Sequence, residues 1–313
     1  MKPGIKKIAV IGAGIMGHGI AQSFAQAGYQ VSLMDIAQPS LDRALSLIES
    51  SLATLAQEEV IDRKAIPTIL GRITPTRSIE QAADDADIAI EAVVEEKDVK
   101  KKVFAQLDTH CPPRTILASN TTFLNIFDFV ETSRPDKVLI AHWYAPPQII
   151  PLVDLVKGPE TDQTSIELMA KVLRDMGKRP AVFKKYVSGY VVSRLQFAFQ
   201  REVHFLLDHD YLSPEELDEA AKWGLALRMM VVGVVQRFDF GGLDLSARNL
   251  ERPSFLPTPL EYKPKKIFEL VKQGYLGVKT GRGFYDYKGR TEEEVYRERD
   301  IKLIKMLKAL KTI

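Results

Sequence analysis

The stretch KIAVIGAGIMG, from Lys7 to Gly17, decides the fold of this chain. Its apolar half predicts a buried strand, and its second half spaces Gly12, Gly14 and Gly17 as G-x-G-x-x-G. In such a turn the first glycine permits a tight bend, the second lets the backbone approach a pyrophosphate, and the third allows close helix–strand packing. The pattern therefore predicts a parallel α/β sheet that binds a dinucleotide at the N-terminus of its first helix.

The overall composition is that of an ordinary globular protein. The 313 residues are 45% hydrophobic and 27% charged, with a formal net charge of +2, and they suffice for two domains. The small net charge argues against a nucleic-acid partner. The longest apolar run, Met229–Val235, is far shorter than the ~20 residues of a membrane span, so no membrane partner is expected. A single cysteine, Cys111, indicates a reducing compartment and predicts a cytoplasmic protein.

Short apolar runs alternate with helical patterns over residues 1–187. Such alternation is typical of parallel strands joined by crossover helices, so we predict a Rossmann-type, doubly wound sheet. The predicted strands are Lys7–Gly12, Gln30–Asp35, Asp87–Val93, Thr115–Asn120, Lys137–Trp143, Ile149–Val156 and Pro180–Lys185. Residues 40–72, between the second and third strands, predict a helical hairpin that either packs on the sheet or forms an arm over a substrate.

The strand signals mostly stop after the segment KKYVSGY, residues 184–190. Residues 188–313 predict helices, beginning with Gly189–His209. The group Ser213-Pro214-Glu215-Glu216 is a capping box with proline at the first helical position, which is a strong helix start. We therefore predict an α/β domain at residues 1–187 and an all-α domain at residues 188–313.

Several predicted strands end in polar residues at their carboxyl ends. These residues are Asp35, Glu95, Ser119 with Asn120, and His142. Ligands of open α/β sheets bind at this edge, so the series predicts a site there. Asp35 is placed to accept a hydrogen bond from a ribose hydroxyl and would repel a 2′-phosphate, and no arginine follows within residues 36–38. NAD is therefore the predicted cofactor, in preference to NADP.

His142 begins the stretch HWYAPPQIIPLVDLV, which ends at Val156. Hydride transfer from an alcohol to NAD requires a base that titrates near neutral pH, and histidine fits best. Asp154 can orient the imidazole if the two strands are neighbours, and Ser119 can hydrogen-bond the reacting oxygen. The alternative is a half-buried histidine at a strand end. The series of polar strand ends favours the catalytic interpretation.

Beyond these patterns, the chain resembles the L-3-hydroxyacyl-CoA dehydrogenase family over nearly its whole length. The matching motifs, besides the glycine turn, are EAVVEEKDVKKKVFAQLD (91–108), ASNTT (118–122), HWYAPPQIIPLVDLVKG (142–158), SGYVVSRL (188–195) and LGVKTGRGFYDY (276–287). The resemblance implies a Rossmann domain and a helical domain that forms a homodimer interface. It also implies a histidine–carboxylate catalytic pair and a small-molecule substrate.

Carried over by matching position, the resemblance implies that His142 is the base, that Asp154 orients it and that Ser119 binds the substrate oxygen. Ser193 matches a second substrate contact. The cofactor-binding residues predicted from the turn, the strand ends and the resemblance are Gly12, Gly14, Ile15, Met16, Gly17, Asp35, Glu95, Lys100, Asn120 and Lys279. No metal is expected.

Departures from the family pattern leave the substrate open. Asp154 replaces the usual glutamate, so it must sit closer to His142 or act through a water. Ala145 and Ser193 replace asparagines, and Gly233-Val234 replaces Gly-Pro. The resemblance favours a 3-hydroxyacyl-CoA substrate. Relatives such as L-gulonate 3-dehydrogenase, with lambda-crystallin, and carnitine dehydrogenase make a free hydroxy acid or related alcohol the alternative. A crystallin-like NAD-binding protein without turnover is the third interpretation.

Overall fold

The computed structural model describes residues 4–252 and 256–310, and the chain divides into two compact units between Tyr190 and Val191. The boundary predicted from the sequence, after residue 187, lies just before this point.

Within residues 4–190, the first unit contains an eight-stranded sheet with the strand order β3-β2-β1-β4-β5-β6-β7-β8. The strands are β1 (Lys7–Ile11), β2 (Gln30–Met34), β3 (Ile73–Thr76), β4 (Ile88–Glu91), β5 (Ile116–Ser119), β6 (Val138–Trp143), β7 (Leu152–Lys157) and β8 (Arg179–Phe183). Strands β1 to β6 are parallel, as predicted. The strand order reverses between β1 and β4, which is where ligands of doubly wound sheets bind.

Helices cover both faces of this sheet. They are α1 (Gly17–Gln26), α2 (Gln38–Gln57), α3 (Ile66–Leu70), α4 (Ile79–Ala83), α5 (Lys97–His110) and α6 (Gln163–Asp175). Alternate residues of β1 point to opposite faces. Val10 packs in one apolar cluster with Phe24 of α1, and Ile11 packs in the other with Phe104 of α5. The predicted helical hairpin is present as α2 and α3.

Two features of the sheet differ from the sequence prediction. Strand β3 was not predicted, because its sequence ITPT lacks an apolar run and contains Pro75. It lies at the sheet edge, where a missing backbone N–H is tolerated. Strand β7 runs antiparallel to β6, and β8 is parallel to β7. Residues 144–151 connect β6 to β7 and are too few for the crossover that a parallel pair requires.

The second unit is helical, which confirms the predicted fold class. Its helices are α7 (Val192–Asp208), α8 (Pro214–Ala220), α9 (Leu227–Val232), α10 (Gln236–Gly241), α11 (Leu243–Glu251), α12 (Lys266–Lys272) and α13 (Glu292–Leu310), with a π-helical segment at Ala221–Ala226. The predicted capping box begins α8: the Ser213 hydroxyl accepts from the Glu216 N–H, and the Glu216 carboxylate accepts from the Ser213 N–H. None of the helices in the described ranges has the length and apolar character to cross a membrane.

Candidate active site

The glycine turn between β1 and α1 has the features that a pyrophosphate site requires. Gly12 has a φ of +104°, and a Cβ there would lie 2.6 Å from the carbonyl oxygen of Ala92. At Gly14 a Cβ would meet nothing within 4 Å, so the backbone is open to an approaching ligand. No side chain caps the N-terminus of α1, which begins at Gly17. Free N–H groups and the positive end of the helix dipole therefore point toward the open turn, and both fit a dinucleotide.

Asp35 directly follows β2 and lies beside this turn. Its Oδ2 accepts from the Ala13 N–H at 2.9 Å, and its Oδ1 accepts from the Ala37 N–H at 3.0 Å. The carboxylate is thus fixed beside the glycine turn, and its contact with a ribose stays a prediction. The structure adds Arg77, whose Nε donates to the Ile36 carbonyl at 3.1 Å. The local sequence after Asp35 gave no sign of this arginine, because it comes from the segment after β3.

A buried ionic network lies behind the ends of β4 and β5. Lys100 and Glu91 are both fully buried, and the Lys100 ammonium donates to Glu91 Oε1 at 2.7 Å. Burial raises the pKa of the Glu91 carboxyl, and the charge of Lys100 opposes this rise. Glu91 was not predicted as a site residue, although it begins the EAVVEE motif. A buried pair of this kind requires every charge to be satisfied, which rigidifies the surrounding loops.

Glu95 holds the loop that follows β5. Its Oε1 accepts from the Thr121 hydroxyl at 2.7 Å and from the N–H groups of Thr122 and Phe123, both at 2.9 Å. Its other oxygen lies 3.2 Å from the Lys100 ammonium. Burial raises the pKa of Glu95, but the hydrogen bonds, led by that from Phe123, outweigh burial and leave the pKa below its usual value. Glu95 is therefore ionised and fixes the position of Thr122.

His142 and Asp154 face each other across β6 and β7 in the antiparallel register. His142 Nδ1 lies 3.3 Å from Asp154 Oδ2, and both side chains are buried. The shorter carboxylate therefore reaches the imidazole directly. The hydroxyl of Tyr144 donates to the same Oδ2 at 2.5 Å. Because a carboxylate only accepts, a neutral His142 ring that pairs with Asp154 carries its proton on Nδ1, and Nε2 is then its accepting nitrogen.

The hydroxyl beside Nε2 of His142 belongs to Thr122, at 3.2 Å from Oγ1. Ser119, for which this place was predicted, is fully buried and donates to Glu91 Oε2 at 2.5 Å. The physical reason for this difference is that Ser119 is still within β5, whereas Thr122 lies in the loop beyond the strand end. Asn120 lies between them, and its side-chain oxygen accepts from the Trp143 N–H at 2.8 Å, which ties the ends of β5 and β6 together.

The ring of Tyr190 packs against His142 at a centroid distance of 4.9 Å. Its hydroxyl donates to the Thr121 carbonyl at 2.8 Å, and its backbone has a φ of +47°. Burial raises the pKa of Tyr190 well above its usual value, so this hydroxyl stays protonated. The unusual backbone thus places an aromatic ring over the predicted base, an arrangement that the sequence did not predict.

The comparison with known proteins now decides the family. The 3-hydroxyacyl-CoA dehydrogenase NAD binding domain matches residues 7–186, and the C-terminal domain of the same family matches residues 189–287. The chain belongs to the 3-hydroxyacyl-CoA dehydrogenase family. It is thus an NAD-dependent dehydrogenase that acts on CH–OH groups.

Similar members of the family include enzymes that are named for a CoA thioester substrate and one that is named for a pyridine carboxylate. The chain is 35% identical over 290 residues to the probable 3-hydroxybutyryl-CoA dehydrogenase of Bacillus subtilis, covering 92% of this chain and 99% of that protein. It is 30% identical over 313 residues to 5-formyl-3-hydroxy-2-methylpyridine 4-carboxylate 5-dehydrogenase of Mesorhizobium japonicum, covering 98% of each. A crystal structure of an enzyme with the latter activity, an NAD⁺-dependent dismutase, has a TM-score of 0.85 at 28% identity, covering 98% of this chain and 99% of that one.

Two predicted site residues of this dehydrogenase lie in its second unit. Ser193 is in the first turn of α7, and Lys279 is in a 3₁₀ turn at Val278–Thr280. Their contacts with substrate and NAD stay predictions. Within the described residues, no group of three or more His, Cys, Asp or Glu side chains is arranged to hold a metal ion.

Proposed function

We propose that this dehydrogenase oxidises the C3 hydroxyl of a 3-hydroxyacyl-CoA to a ketone, with His142 as the general base. The observation that carries the proposal is the buried contact between His142 and Asp154, which leaves Nε2 as the accepting nitrogen. The contact lies at the carboxyl ends of the parallel strands, where the glycine turn also lies.

In this mechanism the substrate hydroxyl binds at Nε2 of His142, which accepts its proton. NAD, when bound, supplies the acceptor for the hydride that leaves the same carbon. Asp154 accepts the Nδ1–H throughout, so it keeps the ring in the required tautomer and stabilises the imidazolium that forms. The residues that would hold NAD are those of the glycine turn, with Asp35 at the ribose.

We assign to Thr122 the role of holding the reacting oxygen, in place of Ser119. The Thr122 hydroxyl is near the accepting nitrogen, and Glu95 fixes the backbone that carries it. Ser119, together with Glu91 and Lys100, supports this loop from behind. Thr122→Val, which removes the hydroxyl and keeps the branched shape, is expected to lower kcat/KM about tenfold to a hundredfold, the worth of one hydrogen bond to a developing charge. Ser119→Ala serves as the comparison.

A free hydroxy acid or related small alcohol is the second candidate substrate. It is favoured by the likeness to the pyridine-carboxylate enzyme, which spans 98% of each chain. That match includes most of α13. The match to the family's C-terminal domain, in contrast, ends at residue 287, before this helix begins. On either substrate the hydroxyl oxidation uses the same base. A crystallin-like protein without turnover is the third interpretation.

We also propose a homodimer in the cytoplasm. Large apolar side chains are exposed on the helices of the second unit, including Phe197 of α7, Phe240 of α10 and Leu250 of α11, which are 71%, 74% and 85% exposed. Their burial between two copies would be favourable at about 25 cal/mol per Å². Sedimentation equilibrium of the full chain measures the mass directly, and a monomer at micromolar concentration would contradict the proposal.

NADH formation on a panel of substrates tests the proposed function. The panel pairs each 3-hydroxyacyl-CoA with its free 3-hydroxy acid and includes aromatic hydroxymethyl carboxylates, with His142→Gln as the control. Turnover of the thioesters at least tenfold above the free acids supports the first candidate. Activity confined to the free acids or alcohols would establish the second, and no turnover despite NAD binding would favour the third. Ser193→Asn in the same assay tests whether the missing amide limits thioester turnover.

A further inference from the structure

Asp154 has an uneven set of contacts for a fully buried carboxylate. Its Oδ2 faces Nδ1 of His142 at 3.3 Å and also accepts from the Tyr144 hydroxyl at 2.5 Å. Its Oδ1 is buried and has no hydrogen-bond partner within the described residues. Both contacts that stabilise the negative charge therefore meet on a single oxygen.

The Tyr144 contact is the shorter of the two. Charge-assisted N–H···O bonds are typically about 2.7–2.9 Å long, so the 3.3 Å contact from His142 is long for a bond that alone fixes a buried charge. The 2.5 Å contact from Tyr144 is at the short end for a hydroxyl that donates to a carboxylate. Without this hydroxyl the carboxylate would keep a single long contact, and that contact alone would have to fix its direction.

We propose that Tyr144 is a positioning residue for the reaction: its hydroxyl holds the Asp154 carboxylate directed at His142 Nδ1. The inference rests on the proposed role of His142 as the base. Tyr144 follows His142 by two residues, so the two side chains point to the same side of the chain as it leaves β6. Its ring packs edge-on against the imidazole, at a centroid distance of 4.6 Å, while its hydroxyl reaches past that ring to Asp154.

This geometry separates Tyr144 from a direct catalytic role. The atom that receives the substrate proton is Nε2, which faces Thr122, whereas the Tyr144 hydroxyl contacts the carboxylate on the Nδ1 side. Tyr144 therefore acts on the base through Asp154. It follows that removal of the hydroxyl matters only while Asp154 is a carboxylate.

A double-mutant cycle tests this dependence. Tyr144→Phe keeps the ring and is expected to lower kcat about tenfold, with little change in NAD affinity. In the Asp154→Asn background the same substitution is expected to change kcat less than twofold, because the carboxylate that it serves is gone. In the Tyr144→Phe background, Asp154→Glu extends the carboxylate by one methylene toward the imidazole. This second substitution is expected to restore at least half of the activity that Tyr144→Phe loses. An equal loss in the two backgrounds would overturn the proposal.

Nitrogen-15 NMR of the histidine rings provides a readout that needs no substrate. The His142 signals are assigned by their loss in His142→Gln. Wild type is expected to show the Nδ1–H tautomer, and Tyr144→Phe a mixture with Nε2–H. Tyr29→Phe is the matched control, because Tyr29 directly precedes the amino end of β2, whereas His142 lies near the carboxyl end of β6. It is expected to leave these signals unchanged. An unchanged His142 tautomer in Tyr144→Phe overturns the inference. Failure of every substrate to turn over would instead refute the proposed function and leave this test intact.

Discussion

Replacing Asp154 with asparagine removes the negative charge from the catalytic pair and almost nothing else. Asparagine has the same shape, and its side-chain oxygen can still accept from Nδ1 of His142. The fully buried site therefore keeps its packing. The charge matters most when His142 has received the substrate proton, because only then does Asp154 face an imidazolium. The substitution should lower kcat and leave KM nearly unchanged.

The magnitude follows from the 3.3 Å between Nδ1 and Oδ2. At an effective dielectric constant of about 20, two unit charges at this separation attract by roughly 5 kcal/mol. The asparagine oxygen keeps a neutral hydrogen bond to Nδ1 worth about 1–1.5 kcal/mol, so the substitution loses about 3–4 kcal/mol of imidazolium stabilisation. Since 1.36 kcal/mol corresponds to a factor of ten, kcat should fall by about 10²–10³.

The assay is NADH formation at saturating NAD over a range of substrate concentrations, so that kcat and KM are separated. Equilibrium NAD binding and the unfolding midpoint establish that the variant is intact. His142→Gln, expected to lower kcat about 10²–10⁴-fold, marks the loss of the base itself. If Asp154→Asn retains kcat within threefold of wild type, the charge of Asp154 does not support the base, and the reasoning from the His142–Asp154 contact is wrong.

Three further predictions concern the cofactor turn and a buried lysine. Asp35→Ser should raise kcat/KM for NADP at least tenfold because the repelling carboxylate is gone and Arg77 is nearby; Arg77→Ala in that variant should abolish the gain. Gly14→Ala should weaken NAD binding without lowering the unfolding midpoint, since its Cβ meets no protein atom within 4 Å, whereas Gly12→Ala should lower both. Burial lowers the pKa of Lys178 from 10.5 to about 8. The unfolded chain therefore binds more protons between these pH values, and stability rises by up to about 3 kcal/mol across that window. Urea unfolding should show this rise in wild type and a smaller one in Lys178→Met.

Most of the fold could be predicted because its signals are local. Continuous apolar runs identified the strands buried on both faces, and the glycine spacing identified the turn after β1. Strand β3 could not be predicted in this way, because an edge strand needs few apolar residues and Pro75 removes the usual pattern. The direction of β7 depends on the length of a loop that the apolar pattern does not report.

The motifs that form the site could be predicted from the sequence, but the hydroxyl group that contacts His142 could not. The sequence ASNTT contains three hydroxyl side chains, and only the three-dimensional path of the loop determines that Thr122 contacts His142. Glu91 could not be identified as a site residue because it ends an apolar strand. Its ion pair with Lys100 depends on where α5 packs, which the sequence pattern does not indicate. In the sequence Tyr144 is an ordinary aromatic residue. Only the pairing register of β6 and β7 shows that Asp154 lies within reach of its hydroxyl.

That register makes the catalytic pair depend on one short connection. In the antiparallel pair, His142 lies opposite Asp154, with Val153 and Leu155 on either side along β7. Because side chains alternate between the two faces of a strand, a shift by one residue turns the carboxylate to the other face. One residue inserted within 144–151 would thus place Val153 opposite His142 while the first six strands keep their pairing. Such a variant should bind NAD and lose turnover, since the glycine turn depends on β1 and β2 whereas the base depends on the connection between β6 and β7.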